Sequence, residues 1–288
     1  MVTRVLDVVT DPAHGGRWTS LRADGREWLW HRPAPERDTA VPGAAFVDAG
    51  GLEECVPTVR GRPDHGDAWS RPWTRDGDTE RVHCDAFTLT RTLRVTPDGV
   101  AADYTLAAEP GFRFLWAAHA LLDLSEHATL HMTGGATTRL FPEAAPLLTE
   151  PWPDGAPWLA GSWPAPRGLA LDRLGPDDGT AVGAVVDTHL CCVHDGRDRL
   201  SFSVRVTGDT VAARTAGGRY GIEQPVSIAL WRNLGGFPEA NPYRSTGVEP
   251  MLGRVFDLAD AGPGDAAEVP ATGEAHWRLT LTTACRCP

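Results

Sequence analysis

Apolar and polar residues alternate with a period of two along most of this chain, in short runs closed by Gly, Pro, Asp or Asn, and that period predicts β-strands. The clearest run is Phe87 to Val95, where Phe87, Leu89, Leu93 and Val95 share one face and Thr88, Thr90, Thr92 and Arg94 share the other. Such a strand is half-buried. The same reading predicts strands over Val100 to Leu106, Arg113 to Leu122, Ala128 to Met132, Ala181 to Asp187, Leu200 to Val206, Val211 to Thr215, Val226 to Trp231 and Trp277 to Thr283. Near the start, Trp18 and Leu21 precede an Asp24-Gly25 turn and Trp28 and Trp30 follow it, which predicts a hairpin.

Helix is a minor component: after Val255 the text DLADAGPGDAAE allows a turn or two before Gly262-Pro263 ends it. From Phe141 to Gly168 prolines are too dense for sheet interior, while Trp152, Trp158 and Trp163 in the same stretch call for burial. The expectation is an ordered loop laid across a sheet, where it could form the rim of a site. No repeat or linker interrupts the chain, so residues 1–288 are read as one domain.

Composition narrows the function. The chain has 288 residues, 42% hydrophobic and 23% charged, a globular balance. A net charge of -11 opposes phosphate backbones and anionic bilayers, so nucleic acid and membrane are not expected partners. All 27 basic residues are Arg, which removes Schiff-base and P-loop chemistry with the missing lysine. No run reaches the ~18 apolar residues of a membrane helix, and Arg4, Asp7 and Asp11 leave no signal-peptide core at the start. The expected location is the cytoplasm, where the six cysteines stay thiols.

The densest polar and aromatic cluster runs from Gly50 to Trp73, GGLEECVPTVRGRPDHGDAWSRPW, with Glu53, Glu54, Asp64, His65, Asp67, Trp69, Arg71 and Trp73. Hydroxyl partners beside aromatic faces suit a sugar; a loop of solvated charges is the alternative. His119 lies in the apolar stretch FRFLWAAHALLDL, so it is either a satisfied core imidazole or a functional one. Glu249, flanked by Val248 and Pro250 after a Gly/Pro/Asn-rich approach, is a candidate general base. HLCCVH (His189 to His194) splits its ligands between the two faces of a strand, Cys285-Arg-Cys287 is a lone pair, and HATLH (His127 to His131) lacks the glutamate of a zinc helix. No metal is expected. There is no G-x-S-x-G for a serine hydrolase, whereas a carboxylate pair between Glu249 and one of Glu53, Glu54, Asp64 or Asp67 remains open.

Taken in order, GGRWTSLRADGREWLW, GGLEECVPTV, DHGDAWSRPW, LWAAHALLDL and TGVEPMLG resemble motifs of the galactose mutarotase-like superfamily, and most closely its aldose 1-epimerase family. The resemblance spans Gly15 to Gly253. It implies an all-β fold, a large antiparallel β-sandwich of the supersandwich type, and interconversion of the α and β anomers of an aldose or aldose phosphate with no metal or organic cofactor. By position in the motifs, Glu249 matches the general base, His119 the acid that protonates the ring oxygen, and His65 an assisting histidine. Arg71, Trp69, Trp116 and Asn233 are the candidates for holding the sugar; Arg60, Arg62, Arg71 and Arg75 are the candidates for a phosphate. Ala120 stands where the family often has Pro. A sugar-binding protein without turnover, and the same scaffold turned to another reaction on a specialised metabolite, are the competing readings.

Overall fold

The alternation resolves into two antiparallel sheets packed face to face. The computed structural model describes residues 5–97, 99–208, 213–215, 218–220 and 224–285. The larger sheet has ten strands, and its centre runs Leu52–Cys55, Trp116–Leu122, Tyr243–Leu252, Val226–Phe237 and Thr180–Val186 in spatial order. The smaller has eight, with Asp198–Val206, Glu274–Thr282, Gly99–Ala108 and Phe87–Thr96 side by side. The expected all-β sandwich is what the chain forms.

Individual expectations fare unevenly. The hairpin pairs Arg17–Ala23 with Arg26–Glu27, and Asp24 and Gly25 both take positive φ (49° and 81°), as a twisted two-residue turn requires. Arg113 to Leu122 is two elements rather than one: Arg113–Phe114 pairs with Ala267–Glu268, Leu115 donates its N–H to the Pro57 carbonyl, and the sheet strand begins at Trp116. Of the strand expected over Val211 to Thr215, Val211 and Ala212 lie outside the described residues, as does Cys287. In the proline-rich stretch, Leu159–Ser162 pairs with Thr137–Leu140 as the terminal strand of the large sheet, an edge position that tolerates neighbouring prolines. After Val255 the helical turn is a single 3-10 turn, Leu258–Asp260.

Period-two geometry sorts the central strands by parity. Trp116, Ala118, Ala120 and Leu122 face the core between the sheets, while Ala117, His119 and Leu121 face outward. On the neighbouring strand Glu54 points inward and Glu53 outward. The inward Glu54 meets Arg91, which sits on the apolar side of Phe87–Thr96 among Phe87 and Leu89 at 0% exposure. Arg91 Nη1 donates to Glu54 Oε1 (2.7 Å) and its Nε donates to Glu80 Oε2 (2.8 Å). Tyr104 Oη and Trp116 Nε1 each donate to Glu54 at 2.7 Å, so that carboxylate is satisfied on both oxygens. The pattern that placed Val95 inside is corrected at this end: Val95 is exposed, and the buried positions of the strand stop near Arg91.

Removing one partner from such a network leaves uncompensated charge in the interior. Arg91→Leu is therefore expected to cost roughly 3–5 kcal/mol, read as a lower urea midpoint; a change under about 1 kcal/mol would show that the network is not what joins the sheets.

Candidate functional site

The outward face of the large sheet carries a row of ionisable side chains at matched positions on three adjacent strands. Glu53 pairs in register with His119, and the pairs Ala117 with Met251 and Leu121 with Gly247 put His119 opposite Glu249. Cys55, Ala117, Ala229 and Met251 form an apolar floor around them. Above lies a cavity of ≈ 780 Å³ whose lining includes His65, His119 and Glu249 together. The three side chains assigned catalytic roles from the sequence thus share one cleft.

His119 Nδ1 stands 2.9 Å from Glu249 Oε1, and both side chains are almost wholly enclosed. Glu249 Oε2 is buried and bonds no protein group. Burial disfavours the imidazolium of His119, but Glu249, with smaller contributions from Asp48 and Glu53, outweighs it and raises the pKa above its ordinary value. With Nδ1 turned to Glu249, Nε2 is the nitrogen left to meet an occupant. Gly247 makes room for this arrangement: a Cβ there would come 2.5 Å from Glu249 Oε1. A glycine inside a strand is a readable sign of close approach, and it is present in STGVEPMLG.

His65 stands at φ 59°, its ring stacked on Phe46 (3.6 Å between centroids) and edge-on to His119 (5.1 Å). Burial lowers its pKa against the pull of Asp64, whose Oδ1 lies 3.1 Å from Nδ1; the cationic His119 lowers it further. The two neighbouring imidazoles are thereby shifted in opposite directions, His119 toward its cationic form and His65 toward its neutral one. Beneath them Arg37 bonds Glu53 (2.7 Å) and the Val47 carbonyl (3.0 Å), tying the Phe46–Asp48 segment to the sheet. Burial raises the Glu53 pKa against Arg37 and Arg17, and Glu53 does not line the cavity, so it supports the row from below and is not one of a catalytic carboxylate pair.

Four residues expected to hold a ligand are elsewhere. Trp116 is three residues from His119, an odd interval on a strand, and so points into the core against Tyr104 and Trp277. Trp69 is buried under Arg37 (4.8 Å), its Nε1 donating to the Asp64 carbonyl, where it braces the His65 loop. Asn233 accepts the N–H groups of Gly236 and Phe237 (3.0 Å each) and donates to the Phe237 carbonyl, clamping the bulge in its strand. Arg71 pairs with Asp85 away from the cavity. Nor do the phosphate candidates converge: Arg75 is bound to Glu80, Arg62 does not line the cavity, and Arg60, which does, is bound to Glu143.

In their place the cavity has Asp48 and Tyr243. The Tyr243 hydroxyl donates to Asp48 Oδ2, Asp48 Oδ1 accepts from the Gly50 N–H (2.9 Å), and the Tyr243 ring stacks on Trp30 (4.2 Å). Burial, reinforced by Asp48, pushes the Tyr243 hydroxyl pKa upward, so it stays a donor. The sequence signal for Asp48 was an Asp-x-Gly turn, which identifies a bend and not a binding role. Among the described residues no group of three His, Cys, Asp or Glu side chains is arranged to hold a metal, and no helix is long and apolar enough to cross a membrane.

Solved structures carry the same architecture. The chain superposes on Slr1438 protein from Synechocystis sp. PCC 6803 with a TM-score of 0.65 at 14% identity, covering 98% of this chain and 96% of that one. A galactose mutarotase related enzyme from Lactobacillus acidophilus gives 0.59 at 13% identity over 99% and 97%. A galactose mutarotase-like protein from Lactobacillus casei gives 0.58 at 14% over 96% and 99%. At these identities the likeness establishes the fold. No protein-family model and no curated protein matches the sequence.

The His119–Glu249 pair is open to direct test. Because the raised His119 pKa depends on Glu249, Glu249→Gln is expected to lower its imidazole titration midpoint in NMR; an unchanged midpoint would refute the pairing. In the wild type the pair stabilises the fold fully below the ordinary histidine value of 6.5, and that contribution fades as pH rises through the raised value.

Proposed function

We propose that the protein is an aldose 1-epimerase, opening and reclosing the ring of an aldose by paired proton transfers between Glu249 and His119. One observation carries the reading: a buried carboxylate with a free oxygen held 2.9 Å from an imidazole whose cationic form it stabilises, on the wall of an open cavity. Ring opening needs a base at the C1 hydroxyl and an acid at the ring oxygen at the same moment. A carboxylate base beside an imidazole whose cationic form that carboxylate favours supplies this combination.

In the proposed step the Glu249 carboxylate takes the proton from the C1 hydroxyl. The C1–O5 bond breaks as C1=O1 forms, and O5 receives the His119 proton. The open aldehyde turns about C1–C2, and the reverse transfers close the ring on its other face, restoring both groups. No electrons are exchanged with a third party. His65, whose pKa burial lowers, orients His119 through their ring contact and competes less well for its proton. With the Tyr243 proton committed to Asp48, the Asp48 carboxylate and the Tyr243 oxygen are suited to accept from sugar hydroxyls. The cavity favours an uncharged aldose over its phosphate, because its arginines, Arg32 and Arg60, face five carboxylates: Glu36, Asp48, Asp64, Glu143 and Glu249. The similarity of fold to mutarotase-like proteins agrees with this reading.

Saturation-transfer NMR of anomer exchange over a panel of aldoses tests it. Glu249→Gln is expected to lower kcat about 10²–10⁴-fold while the protein remains folded. Since His119 must be protonated, wild-type exchange is expected to fall on the alkaline side as pH rises through a value above 6.5. Binding of sugars with no Glu249-dependent exchange would overturn the catalytic reading and leave sugar recognition.

A further inference from the structure

The cavity has a further wall, running from beside Glu249 along Trp231 to Arg60, that the proposed reaction leaves unused. Arg60 leaves the sheet beside Phe256, its N–H bonded to the Phe256 carbonyl (2.8 Å), and its guanidinium lies over two rings, Phe256 at 4.5 Å and Trp231 at 5.4 Å. The guanidinium is fixed by Glu143, which the proline-rich stretch contributes from its 3-10 turn Pro142–Leu147. Glu143 Oε2 is buried and bonds no protein group. Gly183 stands opposite Trp231 in register, and a Cβ there would come 3.1 Å from both Arg60 Nη2 and the Phe256 ring. The bare backbone lets the cation and the ring lie flat against the sheet.

We infer that this wall is a second sugar subsite, so that the substrate is the reducing end of an uncharged disaccharide or longer oligosaccharide. Resting on the epimerase reading, the inference adds what lies beyond the ring that Glu249 and His119 would open. Trp231 pairs with Gly247, two residues from Glu249 along its strand and one strand across, roughly 7 Å by 5 Å in a sheet. An occupant that reaches from Glu249 along Trp231 to Arg60 therefore spans more than one ring. The Trp231 ring supplies apolar surface for C–H groups, Phe256 lying buried beneath Arg60, and the Arg60–Glu143 pair offers charge-assisted partners for hydroxyls. A cavity of ≈ 780 Å³ also exceeds what one pyranose fills, since pockets of ~300–1,000 Å³ enclose drug-sized ligands. The excess of carboxylates over arginines disfavours a phosphate or nucleotide beyond the first ring.

The test compares glucose and galactose with maltose, cellobiose and lactose by NMR anomer exchange in the wild type, Trp231→Ala and Arg60→Gln. At least one disaccharide is expected to show a KM about tenfold below that of glucose, as one stacked face and one charge-assisted hydrogen bond would give, and either variant should bring that ratio toward one. Monosaccharide exchange with a wild-type ratio of one for every disaccharide would overturn the subsite and leave the epimerase reading standing. If nothing exchanges, ligand-observed NMR of methyl maltoside against methyl glucoside decides it. A tenfold preference for the maltoside upholds the subsite without the epimerase, whereas equal or absent binding overturns it.

Discussion

Arg91 is a full positive charge enclosed between two sheets, and a guanidinium there is tolerable only because Glu54 and Glu80 neutralise it with directed hydrogen bonds. Glu54 belongs to the large sheet and the other two to the small one, so the network fixes where one sheet lies on the other. It also fixes which way the Leu52–Cys55 strand faces. With Glu54 held inward, Glu53 must point outward, and through register so must His119 and then Glu249. The chemistry on the outer face is thus oriented by a charge on the inner one.

That dependence explains which parts of the site were legible in the sequence. His65, His119 and Glu249 stood out because each sits in a short motif, and the cleft gathers them from three distant segments. Trp69, Trp116 and Arg71 sat in the same motifs, and Asn233 in the approach to one, and were assigned to a ligand, yet the first two and Asn233 brace the fold and Arg71 pairs with the exposed Asp85. For Trp116 the period of two already forbids a shared face with His119. For Asn233 nothing in the text distinguishes a bulge clamp from a binding amide. Arg91 reads as polar in an otherwise regular strand, and its burial depends on partners 37 and 11 residues away. Asp48, Tyr243 and Glu143 come from loops and a strand end, and Trp231 from mid-strand; their meeting is a property of topology, which no local pattern encodes. The strands themselves were legible because alternation is local; breaks such as the one at Leu115 were not.

The electrostatics of the cleft show a division of labour between neighbours of the same type. His119 and His65 are in ring contact and each has a carboxylate at Nδ1, but Glu249 beside His119 is buried, whereas Asp64 beside His65 is half exposed and the His65 ring is stacked on Phe46. Desolvation acts on both; at His119 the buried Glu249 outweighs it, while at His65 Asp64 does not and the charge of His119 adds to it. Burial likewise lifts the pKa of Glu53 while Arg37 and Arg17 restrain it, so its charge serves the scaffold rather than the cavity.

Because His119 and Glu249 hang from adjacent strands at matched positions, their separation is set by the hydrogen-bond spacing of the sheet, about 4.8 Å between strands. Loop changes at Phe46, Asp48 or Glu143 can reshape what enters without moving that pair. The distance between proton donor and proton acceptor is in this sense a lattice constant, transmitted unaltered through any remodelling of the rim, and a lineage built on this sheet would diversify in what it accepts long before it diversified in what it does.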